Sequence, residues 1–264
     1  MNPGIERAAH WLAEQHRVRA PFAAFASRVA PRSVDEAYAV QEAFVARKAR
    51  VCGPCCGWKI ALSNPAMQAM VGLPEPVAGR LFTRQVVGAP GRVRAGDYGR
   101  LLVEFEIAVE LGADLPAGAL PHTRQSVMPA VLAVRPAFEL VDDRGADYST
   151  LRQHALQLVA DNAWSEGAVL GALRRDWRLL DLATLRGTAS IDGELAGQGR
   201  GSDLMGHPLE ALAWIANHAN RRGDMLRAGE WAILGSLVTS KFPKPGQVLR
   251  FKLDGFPAIE LQVD

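Results

Sequence analysis

Glu104 and Glu106 stand two apart in Val103-Glu104-Phe105-Glu106-Ile107-Ala108-Val109-Glu110, and Glu110 continues the alternation. In a strand this spacing puts the carboxylates on one face and Phe105, Ile107 and Val109 on the other. Carboxylates side by side on a dry face repel, so a cation or bulk water must compensate them. Taken alone, the segment reads as a solvated outer face. A third carboxylate changes the reading, because Glu139 interrupts the apolar run Pro136-Ala137-Phe138-Glu139-Leu140-Val141-Asp142. Three carboxylates on neighbouring strands make a hard-oxygen site suited to Mg²⁺ or Mn²⁺, with positions left for water and substrate. Zinc is disfavoured: His10, His16, His122, His154, His207 and His218 form no HxxxH or HxH pair, and most read as surface or capping residues.

Lysine is scarce beside arginine, occurring only at Lys48, Lys59, Lys241, Lys244 and Lys252. Lys59 lies between Trp58 and Ile60; desolvation and a nearby metal would lower its pKa and suit it to proton transfer near neutral pH. Taken alone, it reads better as an edge-strand lysine with its ammonium in water. Cys52-Gly53-Pro54-Cys55 has the CxxC spacing of redox pairs, yet with Cys56 it reads better as small residues in a turn leading to a strand. Gly197-Gln198-Gly199-Arg200-Gly201-Ser202 lacks the dinucleotide and phosphate-loop fingerprints and is expected to connect a strand to a helix. Gly235-Ser236 is not a nucleophile elbow.

These residues need a scaffold, and the patterns around them supply one. Ile5, Ala8, Ala9, Trp11 and Leu12 recur at helical spacing, and Ser33-Val34-Asp35-Glu36 reads as a capping box opening a second helix. Arg47, Lys48 and Arg50 suit that helix's negative end. After Gly57 strands dominate: Trp58–Leu62 alternates, as do Leu101–Leu111 and Ile259-Leu261-Val263, with Val131–Val141, Trp231–Leu237 and Val248–Leu253 also extended. Asn64-Pro65 opens a short helix ending near Gly72, and Pro208 opens an amphipathic helix with Leu209, Leu212, Ile215 and Ala216 inward. Thr150–Ala160 reads as a helix capped by Ser149 or Thr150, and Asp192-Gly193 and Asp254-Gly255 as hairpin turns. Helices first and strands later, without a βαβ rhythm, predict an α+β fold. One domain over 1–264 is expected, with a helical portion to about residue 50 and a β-rich metal-binding core from 51 to 264.

Composition excludes other classes. The 264 residues carry 30 Lys+Arg against 28 Asp+Glu, a net charge of +2, which argues against nucleic acid as the main partner. Hydrophobic residues at 48% and charged residues at 22% describe a folded globular chain, not a disordered one. No apolar run reaches the ~18–20 residues of a membrane span, and the start Met1–Arg7 lacks the pattern of a signal peptide. The expectation is a reduced, cytoplasmic protein.

The segments together resemble the 2-keto-4-pentenoate hydratase family, which includes 4-oxalocrotonate decarboxylases and belongs to the wider fumarylacetoacetate hydrolase superfamily. The matching pieces run in order: Ala37-Tyr38-Ala39-Val40-Gln41; Gly57–Ser63 with Ala66-Met67-Gln68; Val103–Ala108; Phe138–Asp142; Asp161-Asn162-Ala163 with Ser165 and Gly167; Gly206–Leu209 through Trp214; and Leu234–Leu237 with Lys244-Pro245-Gly246. The resemblance implies a mixed β-roll, a Mg²⁺ or Mn²⁺ site on Glu104, Glu106 and Glu139, an active-site Lys59, and a pocket containing Ser165 and Asn162. It implies a hydro-lyase acting on 2-hydroxydienoic or 2-oxo acids in aromatic catabolism, assembled as a homo-oligomer. The alternatives are a decarboxylase of a 4-oxalocrotonate-type acid, or a weakly catalytic metal-binding partner in complex with a related decarboxylase or hydratase. Two positions depart from the family pattern. Pro76-Val77-Ala78-Gly79 stands where the family has a Pro-Asp-Phe-Gly-like run, so an acid/base carboxylate is missing at Val77, and Trp164 replaces a small residue. Both changes are expected to make the pocket wall more apolar.

Overall fold

The structure, a computed structural model, describes residues 2–264. Helices α1 (Pro3–Arg17) and α2 (Val34–Cys52) pack on each other at the N-terminal end. Ser33 caps α2 by accepting from the Glu36 N–H at 3.1 Å. Glu36 does not complete the capping box: its carboxylate accepts from the N–H of Arg32, one residue further out.

Seven strands form the larger sheet in the order β2 (Val77–Phe82), β1 (Cys55–Ala61), β10 (Trp231–Lys241), β5 (Leu101–Leu111), β6 (Val131–Asp142), β7 (Ser165–Leu170) and β3 (Val86–Gly88). Pairing is antiparallel except for β1 with β10 and β3 with β7. A second sheet runs β4 (Gly91–Val93), β12 (Ile259–Val263), β11 (Val248–Leu253), β8 (Arg186–Ile191) and β9 (Glu194–Arg200). The expected α+β class and β-roll are therefore present. The glycine-rich stretch expected to be a connector is instead largely strand β9. Its glycines allow close approach: a Cβ on Gly199 would fall 1.7 Å from the Leu237 carbonyl oxygen.

The alternation in β5 and β6 divides the larger sheet's faces. Outward, Phe105 and Phe138 meet edge-to-face at 5.5 Å between ring centroids, and Phe251 of β11 packs on both, joining the two sheets. Inward, the sheet curls until β2 and β7 touch. Small Ala108, Ala137 and Ala168 fit the crowded concave side, and with Leu81, Leu170 and Ile233 they form a separate apolar floor.

The remaining helices are α3 (Pro65–Val71), α4 (Arg124–Val127), α5 (Ala155–Ala160) and α6 (Pro208–Arg221). Asn64 caps α3 as expected, and α6 buries Leu209, Leu212, Ile215 and Ala216. The helix expected over Thr150–Ala160 divides into a 3₁₀ turn, Leu151–His154, followed by α5. Thr150 does not cap it, because its backbone is helical (φ −106°, ψ 0°) rather than extended, and the Ser149 hydroxyl donates to Asp147. No helix among the described residues is long and apolar enough to cross a membrane.

Candidate metal centre and active site

Register places the carboxylates. Glu104 of β5 faces Glu139 of β6 directly across the ladder, and Glu106 lies two residues along β5 on the same concave face. One oxygen from each falls within 4.8 Å of the others. The solvated face that the segment suggests in isolation is excluded, since Glu106 and Glu139 are both 0% exposed. Glu110, further along β5, instead faces Arg135 at 3.5 Å.

Each carboxylate is held from one side. Ser240 donates to Glu104 Oε1 at 2.8 Å, and the Gly235 N–H donates to Glu106 Oε2 at 2.7 Å. The second contact depends on a break in the β10 ladder around Gly235, which frees that N–H to point inward. Gly235 has φ +109°, and a Cβ there would sit 2.5 Å from Ser63 Oγ. Glu106 Oε1 and Glu139 Oε2 are buried without a hydrogen-bond partner, and Glu139 Oε1 meets the Lys59 ammonium at 3.1 Å. Orphaned carboxylate oxygens converging in a dry interior fit a hard divalent cation. Burial and the charges of Glu139 and Glu104 push the Glu106 pKa well up. Burial also lifts Glu139, to about 7, with Lys59 opposing the rise.

Lys59 is not an edge-strand lysine. Strand β1 lies between β2 and β10, and Lys59 is 1% exposed with Nζ 3.1 Å from Glu139 Oε1. Burial pulls its pKa down, but Glu139, Glu104 and Glu106 overcome this, so with the protein's charges alone it is raised. The expected lowering includes a bound cation, whose charge would oppose that of the three carboxylates sharing its cavity.

Entry to β7 is built by an unusual turn. Asn162, Ala163 and Trp164 are consecutively left-handed, with φ of 54°, 46° and 61°. Non-glycine residues in that region each cost roughly 1–3 kcal/mol and persist only where neighbours hold them. Asn162 does the holding: its Oδ1 accepts from the Arg80 N–H at 2.7 Å and its Nδ2 donates to the Arg80 carbonyl at 3.0 Å. Asn162, expected to bind substrate, thus also pins the Arg80 backbone with one acceptor and one donor of its amide. The turn delivers the buried Ser165 hydroxyl toward Glu139 and lays Trp164 along the cavity wall. Val77 is paired with Ala61 across the sheet, on the Lys59 face, but is 1% exposed and packed in the helical-side core. It backs the wall without lining the cavity, so the expected apolar lining comes from other residues.

A charged cluster that sequence patterns did not reveal anchors this turn. His16 on α1 binds Asp161 through Nε2 at 2.6 Å and Glu166 through Nδ1 at 2.9 Å. Lys48 on α2, expected to complement a helix end, is buried and donates to Glu166 at 2.6 Å and to the Ser165 carbonyl at 3.0 Å. Arg144 closes the far side against Asp161. Two carboxylates on one imidazole call for the imidazolium form. Burial works to lower the His16 pKa, but Asp161 and Glu166 outweigh it and hold it above the usual value. The stabilisation is complete below an unfolded-state pKa of about 6.5 and is lost as pH rises through the higher folded value. His16→Gln should cost ~3–5 kcal/mol at pH 6, as for a broken buried pair, and flatten the fall in stability above pH 6.5. Urea unfolding across this range checks it; identical pH slopes in parent and variant would contradict the ion-pair assignment.

Comparison with known proteins agrees with this geometry. Residues 68–264 match the family described as Fumarylacetoacetate (FAA) hydrolase C-terminal. A 2-keto-4-pentenoate hydratase of Paraburkholderia xenovorans (strain LB400) is 32% identical over 259 residues, covering 98% of this chain and 94% of the relative. A 2-hydroxyhexa-2,4-dienoate hydratase of Comamonas testosteroni is 33% identical, with 78% and 77% covered. Among solved structures, a 4-oxalocrotonate decarboxylase from Pseudomonas putida G7, complexed with magnesium and adipate, superposes with a TM-score of 0.89 at 24% identity, covering 98% of this chain and 97% of that one. By the family match and by relatives above 30% identity along nearly its whole length, the chain belongs to the fumarylacetoacetate hydrolase superfamily, in its 2-keto-4-pentenoate hydratase and 4-oxalocrotonate decarboxylase family.

Proposed function

We propose that this chain is a divalent-metal-dependent hydro-lyase that adds water to a 2-hydroxydienoic acid. The observation that carries the proposal is the convergence of Glu104, Glu106 and Glu139, with orphaned oxygens, beside a fully buried Lys59. Hydratase relatives spanning most of the chain support the reaction class. Glu104, Glu106 and Glu139 would hold Mg²⁺ or Mn²⁺, which when bound supplies Lewis acidity to the carboxylate and 2-oxygen of the substrate.

The chain's own residues do the rest. With a cation's charge offsetting the three carboxylates that raise its pKa, Lys59 would in its neutral form take the proton of the 2-hydroxyl and return it to the far carbon of the dienol, giving the 2-oxo-3-alkenoic acid. Water then adds across the remaining double bond, so that the only net change is the gain of one H₂O. The buried Ser165 hydroxyl, directed toward Glu139, would bind the substrate's acid head. Trp164 and the apolar wall exclude bulk water, which strengthens every charge interaction inside. With valine at 77, no second acid/base carboxylate assists at that position.

The second reading, decarboxylation of a 4-oxalocrotonate-type acid, uses the same electron sink at the 2-oxo group. It is favoured by a 4-oxalocrotonate decarboxylase relative that is 28% identical over 86% of this chain. Residues 1–264 would act as one catalytic unit in a homo-oligomer. A reducing cytoplasmic setting is supported by the free Cys52, Cys55 and Cys56. The test is to follow 2-hydroxypenta-2,4-dienoate and 2-hydroxyhexa-2,4-dienoate by absorbance with Mg²⁺, Mn²⁺ or chelator, identifying products by NMR. The expected result is a metal-dependent 4-hydroxy-2-oxo acid. Carbon dioxide release from 4-oxalocrotonate without hydration of either dienoate would replace this reading with the second.

A further inference from the structure

Building on the hydro-lyase reading, we infer that the substrate ends in an apolar group, not a second carboxylate, at the end remote from its 2-oxo acid head. Beside the carboxylate cluster opens a cavity of about 480 Å³, lined by Lys59 and Glu104 at its inner end. That size lies within the ~300–1,000 Å³ range of sites that take drug-sized ligands, and leaves room beyond a five-carbon acid.

Its outer wall is apolar. Met67 and Met70 of α3 line it together with Leu151, Tyr148, Trp164 and Phe242. Met67, Met70 and Phe242 are 37%, 41% and 48% exposed, so large apolar side chains meet solvent at the mouth itself. Unbranched methionines adapt to chains of different shape.

Charge in the lining points the same way. Lys59, Glu104 and Asp203 are its charged members. Lys59 is the single cation, and it is committed to the head-group end beside Glu139. Asp203, which accepts from the Arg200 N–H at 2.7 Å, adds negative charge. Arg100 stacks on Phe242 with its guanidinium 4.9 Å from the ring centroid, but it does not line the cavity. Two bonds to Asp143, at 2.7 and 2.6 Å, hold it there. A distal carboxylate would therefore lose its water, find no cation and face an acid. An alkyl or aryl tail would gain roughly fourfold in affinity per buried methylene.

Calorimetry on the full-length, Mn²⁺-loaded protein tests this with three 2-oxo acids that lack the reactive diene: 2-oxopentanoate, 2-oxooctanoate and 2-oxoadipate. The expected order is 2-oxooctanoate at least about tenfold tighter than 2-oxopentanoate, with 2-oxoadipate weakest. Met70→Lys, on the exposed side of α3, should improve 2-oxoadipate about tenfold and weaken 2-oxooctanoate. Parental binding of 2-oxoadipate as tight as 2-oxooctanoate would overturn the inference while leaving the hydro-lyase reading intact. No gain for 2-oxoadipate in Met70→Lys would overturn the placement of the tail against α3. Failure of all three acids to bind would remove the hydro-lyase reading and this inference with it.

Discussion

Glu106→Gln should abolish divalent-cation binding and lower kcat/KM for dienoate hydration by on the order of 10³-fold, the several kcal/mol that a Lewis-acid metal supplies. Glutamine keeps the shape of the side chain but loses the charge at a position that is 0% exposed. Its effect on stability should run the other way. Without a cation, Glu104, Glu106 and Glu139 repel one another in a dry site, so neutralising one removes a penalty. In chelator the variant should therefore unfold at a temperature no lower than the parent. With excess Mn²⁺ the parent should gain stability and the variant should not. Calorimetric metal titration and paired thermal melts check both halves. A variant that melts lower in chelator and still binds Mn²⁺ would show that Glu106 serves packing rather than the metal.

Lys59→Met should slow proton exchange into the substrate by about 10²–10⁴-fold, the usual worth of a positioned acid/base group. Methionine matches the length of the lysine stem and keeps the apolar contacts of β1 between β2 and β10. Because Lys59 Nζ lies 3.1 Å from Glu139, removing it also removes a cation that competes for that carboxylate. Mn²⁺ affinity should therefore hold or rise while exchange falls. Deuterium incorporation from D₂O into a bound 2-oxo acid, followed by NMR beside a Mn²⁺ titration, separates the two effects. Parental exchange in the variant would overturn the proton-relay role. Joint loss of exchange and metal would make Lys59 a structural counter-ion.

The parts of the site that were legible from sequence are those fixed by local geometry. Strand periodicity alone puts Glu104 and Glu106 on one face, and Leu101–Leu111 is the strand observed. What periodicity does not say is whether that face meets water or the inside of a roll. The answer lies in the curl of the sheet, made possible by Ala108, Ala137 and Ala168 on its concave side. In isolation those alanines look like ordinary strand residues. Lys59 carries the same ambiguity, resolved only once β2 and β10 flank it.

Long-range polar contacts were not legible. Lys48 and Glu166 are 118 positions apart, and the helix holding Lys48 offers a local explanation for its charge that the fold does not use. His16 carries no local signal of its role, because its carboxylate partners lie far along the chain. Asn162 shows the same limit: an amide near pocket residues suggests ligand binding, and nothing local announces that both its polar atoms also pin the Arg80 backbone. At Val77 the sequence identifies the missing carboxylate, but only the packing shows that the valine lies behind the cavity wall. The scarcity of lysine marks Lys48 as much as Lys59.

The proposed activity requires one divalent cation on Glu104, Glu106 and Glu139. A crystal grown with Mn²⁺ and measured at an energy giving manganese anomalous scattering tests it most directly. The expected result is one strong peak per chain, about 2.0–2.3 Å from an oxygen of each carboxylate. A peak ligated elsewhere, or none at saturating Mn²⁺, would contradict the account.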